Sequence, residues 1–310
     1  MTGLTAQLGP YGAALPQLPA ATMRPGLVKR VAQRAEALGF DTLWVSEISG
    51  APTIDPLTVL AHAAAVTDRV RLGVSILVAG LRPPVQLASD LASIDVLSGG
   101  RLVAGLGLGG NPAAYPRYGL SPDRPLRRYL DTIDLVQRLW ADDELSWHNE
   151  WWQLDGPTNV IKPVQQPRPP LLLGAKAEVA VARTAEIADG WCAAGSMSSA
   201  DALAALGTVR ARLHELGREP ASFPTVKRVY LAVNADVDRS LRRLRTWFGI
   251  AYGDPGLADR VAVVGDAERC AEQLRGLRSA GFDHVNVNPV FDELDQLEQL
   301  APLLLDSAGH

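Results

Sequence analysis

Residues 98–112 read Ser98-Gly-Gly-Arg-Leu-Val-Ala-Gly-Leu-Gly-Leu-Gly-Gly-Asn-Pro112, and the fold turns on what these glycines are for. Gly105, Gly107 and Gly110 match the dinucleotide fingerprint G-x-G-x-x-G letter for letter, straight after the β-rich run Leu102 to Leu106. That fingerprint works by opening a helix at its last glycine, so that free amides face a pyrophosphate. Here Asn111-Pro112 and Pro116 force a loop, which argues against an open dinucleotide-binding sheet. Two uses remain for glycines at a strand end: tight packing between strands, or close approach of a flat ring system to the backbone.

Upstream, Leu4 to Leu8 is an apolar run before Gly9-Pro10 and is expected as the first strand; Val28 to Leu38 is an amphipathic helix closed by Gly39. Thr42 to Val45 reads as a strand, Pro56 to Val66 as a helix, Arg71 to Leu77 as a strand apolar on both faces, and Val85 to Leu97 as a helix. Downstream come the helix Pro125 to Leu139 and then a Trp- and Pro-rich stretch, Ala141 to Pro170, expected as an insertion with a small hairpin. The alternation resumes with strand Leu171 to Gly174, helix Glu178 to Ala188, strand Gly190 to Ala193, helix Ala200 to Leu216 and strand Val226 to Val233. A broken helical region, Ser240 to Tyr252 and Ala267 to Ala280, leads to strand His284 to Val287 and helix Leu294 to Leu305. Strands alternating with helices imply parallel pairing with right-handed crossovers. The expected fold is therefore α/β: one (β/α)8 TIM barrel over residues 1–310, with the insertion at about 141–170 between strands four and five.

Composition supports a large core, with 47% hydrophobic and 21% charged residues, and the net charge of -4 supplies no basic face for nucleic acid or an anionic membrane. Cys192 and Cys270 lie far apart without metal or disulfide spacing, and no apolar run reaches the roughly 18 residues of a spanning helix. A cytoplasmic protein is expected.

A barrel of this kind carries its chemistry on the loops after its strands. The polar or glycine positions there are Gly9 and Tyr11, Ser46 and Glu47, Ser75, Gly107 to Asn111, Gly174 and Lys176, Gly195 and Ser196, Asn234, and Asn288. Glu47 is the acid set directly after a strand end, suited to act as a general acid or base or to anchor a loop. The run Pro170 to Lys176 leads into a helix near Ala177 or Glu178, whose free amides could hold a phosphate with Lys176 as a point charge and Gly195 and Ser196 completing the cradle. The plainer alternative is a strand-to-helix turn with a solvated lysine. None of the five histidines follows a strand, Arg101 enters strand four at its N-terminal end as a turn or bottom-face contact, and no metal-ligand spacing occurs, so no metal is expected.

Taken in order, Arg71-Leu-Gly-Val-Ser75, Arg82-Pro83, Ser98-Gly-Gly-Arg101, Leu106-Gly-Leu-Gly109, Gly174-Ala175 and Ala188-Asp-Gly-Trp191 resemble the luciferase-like monooxygenase superfamily, including its coenzyme F420-dependent branch. The resemblance spans nearly the whole chain. It implies a barrel, usually dimeric, holding the deazaflavin F420 or FMN at the strand ends. It further implies a bulge with a non-prolyl cis peptide at Ser75-Ile76 behind the ring, Gly107, Gly109, Gly110 and Asn111 near the ring, and the phosphate tail against Gly174, Ala175 and Lys176, near Gly195 and Ser196. Two departures stand out: Glu47-Ile48 replaces the Asp-His of several deazaflavin-dependent relatives, and Gly110 stands where they carry an acid. The expected activity is hydride transfer between F420 and a small organic substrate, the alternatives being an FMN-dependent monooxygenase or a non-catalytic flavin-binding paralogue. Trp147, Trp151 and Trp152 are read as packing the insertion, lining a substrate lid or making a dimer contact.

Overall fold

The computed structural model describes residues 8–17, 24–48 and 50–305. Its first half runs β1 (Tyr11–Ala14), α1 (Leu27–Leu38), β2 (Thr42–Val45), α2 (Pro56–Ala64), β3 (Arg71–Val74), β4 (Leu77–Val78), α3 (Pro84–Leu97), β5 (Leu102–Gly107), α4 (Pro125–Ala141), and the hairpin β6 (Trp147–His148) and β7 (Gln153–Leu154). The second runs β8 (Leu171–Ala175), α5 (Glu178–Ile187), β9 (Gly190–Ala193), α6 (Ser199–Glu215), β10 (Thr225–Val233), α7 (Val237–Tyr252), α8 (Leu257–Val261), β11 (Val263–Gly265), α9 (Ala267–Ser279), β12 (His284–Pro289) and α10 (Glu293–Leu305). Around the circle β1, β2, β3, β5, β8, β9, β10 and β12 pair in parallel, and β12 returns to β1, so eight strands close a TIM barrel. Local caps fix the helix ends: Asp55, Ser198, Asp236 and Asp266 each accept an N–H of the following turn, and Gly39 ends α1, as the sequence suggests, in the left-handed region at φ 97°.

Three expectations change. The expected first strand, Leu4 to Leu8, lies outside the described residues except for Leu8, and the first barrel strand is Tyr11–Ala14. Tyr11 and Gly9 therefore stand at the lower end of β1, not at the mouth. The segment Tyr-Gly-Ala-Ala has little β propensity, because its small residues are demanded by the interior it faces. The expected strand Arg71 to Leu77 is broken at Ser75-Ile76, with β4 continuing along β5 through the pairs Leu77 with Leu106 and Val78 with Gly107. Finally, Val263–Gly265 within the expected helical region forms a short strand beside the upper end of β10.

The barrel's lower interior is filled by Trp44 of β2, fully buried. A Cβ on Gly73 would lie 2.4 Å from the Trp44 ring, and one on Gly12 would lie 2.5 Å from its Nε1 and 2.6 Å from His284 Nε2. Glycine on both flanking strands is thus what lets an indole occupy so narrow a barrel. Trp44 Nε1 donates to His284 Nε2 at 2.8 Å. Because an indole N–H can only donate, Nε2 is the unprotonated nitrogen, and Nδ1 carries the proton that binds the Gly9 carbonyl at 2.6 Å. Burial pushes the His284 pKa down to about 4. At the bottom face Arg101 donates to the carbonyls of Ala64, Thr67, Val70 and Ser98, a backbone clamp in place of an ion pair.

Gly73→Ala should destabilise the fold by about 1–3 kcal/mol through overpacking against Trp44. Gly207→Ala, in α6 with nothing within 4 Å of the added Cβ, should instead stabilise slightly; urea unfolding of both variants checks the contrast. The His284 contribution is complete above pH 6.5, where the unfolded imidazole is also neutral, and is lost as pH falls toward about 4, because only the unfolded chain then binds the proton. The loss should be on the order of 3 kcal/mol across that window. Urea midpoints at pH 7, 6 and 5 should fall for the wild type and flatten in His284→Gln; parallel pH profiles for the two would contradict this account.

Candidate active site

The glycines of residues 105–109 have a steric explanation at the mouth. A Cβ at Gly105 would lie 1.9 Å from the Val74 carbonyl oxygen, one at Gly107 2.7 Å from the Ile76 side chain, and one at Gly109 2.9 Å from Val78. The spacing that matters is therefore the strand period of two, with alternate residues of β3–β4 seated on alternate glycines, and the dinucleotide fingerprint is coincidental. Gly174 of β8 pairs with Gly107 and meets Ile76 from the other side, at 2.6 Å from an added Cβ. Ile76 thus fills the space over both glycines, the packing use of the two that the sequence left open. The half-buried Ile76 leaves an apolar face toward the mouth. The Ser75-Ile76 peptide is cis, at the position the resemblance implied. Ser75 is hydrogen-bonded to Cys192, whose thiol burial pushes up to about 12.

Glu47 secures this bulge. Its N–H donates to the Ile76 carbonyl at 2.9 Å, and its carboxylate accepts from the Val78 N–H at 2.6 Å and from Arg82 Nη1 at 2.7 and 2.8 Å. Both oxygens are engaged and the side chain is 8% exposed, so the geometry is that of the loop-anchoring alternative.

Across the mouth, Lys176 and Ala177 are exposed and α5 begins at Glu178 without a side-chain cap, leaving its first amides open. Gly195 follows β9, where Tyr230 and Arg228 of β10 occupy the space a Cβ would take, and Ser196 stands half-buried beside it. Gly110 opens onto free space, and Asn111 caps the turn after it by accepting from the Ala113 N–H at 3.1 Å. The expected cofactor residues thus form one arc of the mouth over β3, β5, β8 and β9.

The opposite arc, over β1, β2, β10 and β12, holds a cleft that opens to solvent. Its apolar walls are Pro16, Trp44, Ile48, Trp247 and Val290; its polar groups include Gln17, Ser46, Arg228, Tyr230, Asn288 and Glu293. Gln17 Oε1 accepts the Ser46 N–H at 2.7 Å, tying the ends of β1 and β2 together. Arg228 and Tyr230 alternate with outward-facing residues of β10 and point with Val226 toward the barrel axis. Arg228 Nη1 donates to the Tyr230 hydroxyl at 3.0 Å, which shares a 2.6 Å hydrogen bond with Tyr252. On the outward face of β10, buried Lys227 donates to the carbonyls of Met197 and Arg228, and burial pushes its pKa down to about 7.

Of the residues lining this cleft, only Ser46 and Asn288 were marked by their place after a strand. Arg228 and Tyr230 were legible as polar side chains on one face of the strand Val226 to Val233, whose other polar side chain, Lys227, lies on the opposite face. The tryptophans of the insertion pack it against α4: Arg128 lies 5.0 Å over Trp152 and Arg138 lies 5.4 Å over Trp147. Among the described residues no cluster of His, Cys, Asp or Glu is placed to hold a metal, and no helix is long and apolar enough to cross a membrane.

The sequence profile of the luciferase-like monooxygenases matches residues 11–284. A Mycobacterium tuberculosis protein assigned as a coenzyme F420-dependent oxidoreductase is 35% identical over 196 residues, covering 60% of this chain and 53% of that protein, so the match spans about half of the relative's length. The oxygenase component of a flavin-dependent trigonelline monooxygenase from Acinetobacter baylyi is 31% identical over 151 residues, covering 46% of this chain and 41% of that protein. The solved structure of an F420-dependent secondary alcohol dehydrogenase superposes with a TM-score of 0.82 at 18% identity, covering 96% of this chain and 99% of that one, a likeness of fold.

Glu47→Gln should destabilise the fold by about 1–3 kcal/mol, since it leaves the half-buried Arg82 without its main counter-charge. Thermal unfolding checks this: a large fall in turnover at unchanged stability would return Glu47 to the role of a proton-transfer group.

Proposed function

The chain belongs to the luciferase-like monooxygenase family, and we propose that it is an F420-dependent oxidoreductase moving a hydride between the deazaflavin and a small organic substrate. What carries this reading is the division of one barrel mouth into an arc suited to a flat, phosphorylated cofactor and an arc bearing a cleft lined by both polar and apolar side chains. The donor set fits such a cofactor. The uncapped amides of α5, Lys176 and the Ser196 hydroxyl suit a phosphate, and the apolar face of Ile76 suits the back of a ring. The choice of F420 rests on the mycobacterial relative.

When bound, the deazaflavin supplies the hydride chemistry. The protein's part is to hold and orient. Glu47 and Arg82 fix the bulge that presents Ile76, so the ring plane is set by a wall that cannot slide. Trp44, Ile48 and Trp247 exclude water from the cleft, which strengthens every polar contact inside it. A carbonyl that gains a hydride needs a proton at oxygen, and the Tyr230 hydroxyl lines the cleft with its oxygen held by Arg228. Glu47 is occupied elsewhere, so Tyr230 is the residue we assign to that proton. A second reading, an FMN-dependent monooxygenase, is favoured by the likeness to the trigonelline enzyme.

Titrating the protein with F420 and, separately, with FMN while following cofactor fluorescence should give saturable binding of F420 alone. Binding of FMN alone would favour the monooxygenase, and binding of neither would remove the redox reading while leaving the barrel untouched.

A further inference from the structure

Arg228 is a buried cation without a carboxylate. It is 5% exposed, and the groups whose charges act on it are Tyr230, Tyr252 and Cys192, none of them a carboxylate. Its Nη1 is engaged by Tyr230, yet its Nε–H, buried, has no partner. The carboxylate that shares the cleft, Glu293, is itself pushed toward its neutral form by burial and has Asp292 and Arg243 as its charged neighbours. The field of Arg228 also helps to lower the Lys227 pKa, so positive charge in this part of the barrel is unrelieved.

A second observation lies on the adjacent strand. Asn286 is 0% exposed, and neither its amide oxygen nor its amide nitrogen has a hydrogen-bond partner. It pairs in register with Arg228 and sits between His284 and Asn288 on the inward face of β12. Such groups are costly to bury unless satisfied. Two unsatisfied polar side chains therefore stand side by side at one level of the barrel, where Arg228 lines the base of the cleft and Asn288, one step above Asn286, lines its wall.

We infer that this cleft is a binding site for a small organic carboxylate, its anionic end on the Arg228 guanidinium and Asn286 and its apolar body between Trp44, Ile48 and Trp247. A guanidinium presents a planar fork matched to a carboxylate. The cleft lies on the arc of β1, β2, β10 and β12, away from the α5 amides and Lys176, which places the acid as substrate and not as the cofactor's own phosphate. The inference names the substrate class for the oxidoreductase proposed above and in that respect rests on it.

The test needs no turnover. Calorimetric titration of the cofactor-free protein with benzoate and with its uncharged isostere benzamide should give saturable benzoate binding, at least about tenfold tighter than benzamide. Arg228→Lys, which keeps charge but loses the fork, should weaken benzoate by about tenfold. Arg228→Met should remove the preference for the charged ligand, with circular dichroism reporting whether that variant folds. Equal binding of benzoate and benzamide to the wild type, or unchanged benzoate affinity in Arg228→Lys, overturns the proposal even if Arg228→Met does not fold. Repeating the benzoate titration at saturating F420 separates the sources of the anion. Retained affinity supports a substrate subsite, whereas competition assigns Arg228 to the cofactor and overturns it. Should F420 fail to bind at all, the redox reading falls while the benzoate and Arg228→Lys results still decide the subsite.

Discussion

The interior of an eight-stranded barrel is barely wide enough for the side chains that must fill it, so each large residue directed inward has to be matched by glycine on a neighbouring strand. This constraint runs the height of the molecule. At the bottom Trp44 takes the space left by Gly12 and Gly73; near the top Ile76 takes that left by Gly107 and Gly174; beside the cleft Tyr230 takes that left by Gly195. The glycines do not loosen the barrel, for each is filled by a named partner. Height also separates chemistry. The Trp44–His284 hydrogen bond closes the lower interior, and only above it do unpaired polar groups appear on the inward faces of β10 and β12.

The same matching fixes the mouth. Val74, Ile76 and Val78 alternate along a strand that breaks at Ser75-Ile76, and each must meet a glycine of β5 in step. A one-residue slip would turn all three away from their seats. Glu47 holds the register by binding the backbone just after the break, with its N–H on Ile76 and its carboxylate on Val78, and Arg82 neutralises the charge that does so. An acid directly after a strand is thereby used for architecture.

The order of elements was legible in the sequence because it depends on local signals: glycine after α1, amphipathic stretches of helix length and apolar runs of strand length. The first strand was not, because Tyr11–Ala14 is shaped by what it must leave room for, Trp44 and His284, and that demand comes from residues more than thirty and two hundred positions away. The glycine run 105–109 was legible as a packing or a binding feature but not as which, since only the paired register with β3–β4 assigns its period. The positions flanking the cofactor arc were found by their place after strands. Arg228 and Tyr230 were missed because they lie inside β10, below the loops where a barrel's chemistry is ordinarily sought. Their signal was present as two polar side chains on the same face of a largely apolar strand, a pattern that a buried strand has no structural use for.

That last point bears on why Arg228 is there. A cation held in the interior loses several kcal/mol of hydration, and replacing it by an apolar side chain of similar size is commonly neutral or stabilising. Its neighbours return little: the hydroxyls of Tyr230 and Tyr252, and nothing on Nε. No strand depends on it, since β10 is paired on both sides through its backbone. The fold would thus be served as well by leucine. What leucine could not do is draw an anion to the floor of the cleft and hold it at a set angle beneath Tyr230, where an adjacent oxygen would receive its proton. The unsatisfied Asn286 beside it extends the same argument, because an amide with both ends free can meet either oxygen of a carboxylate or a hydroxyl next to it. Stability alone accounts for Trp44, Ile76 and Glu47; Arg228 and Asn286 are accounted for by what they would bind.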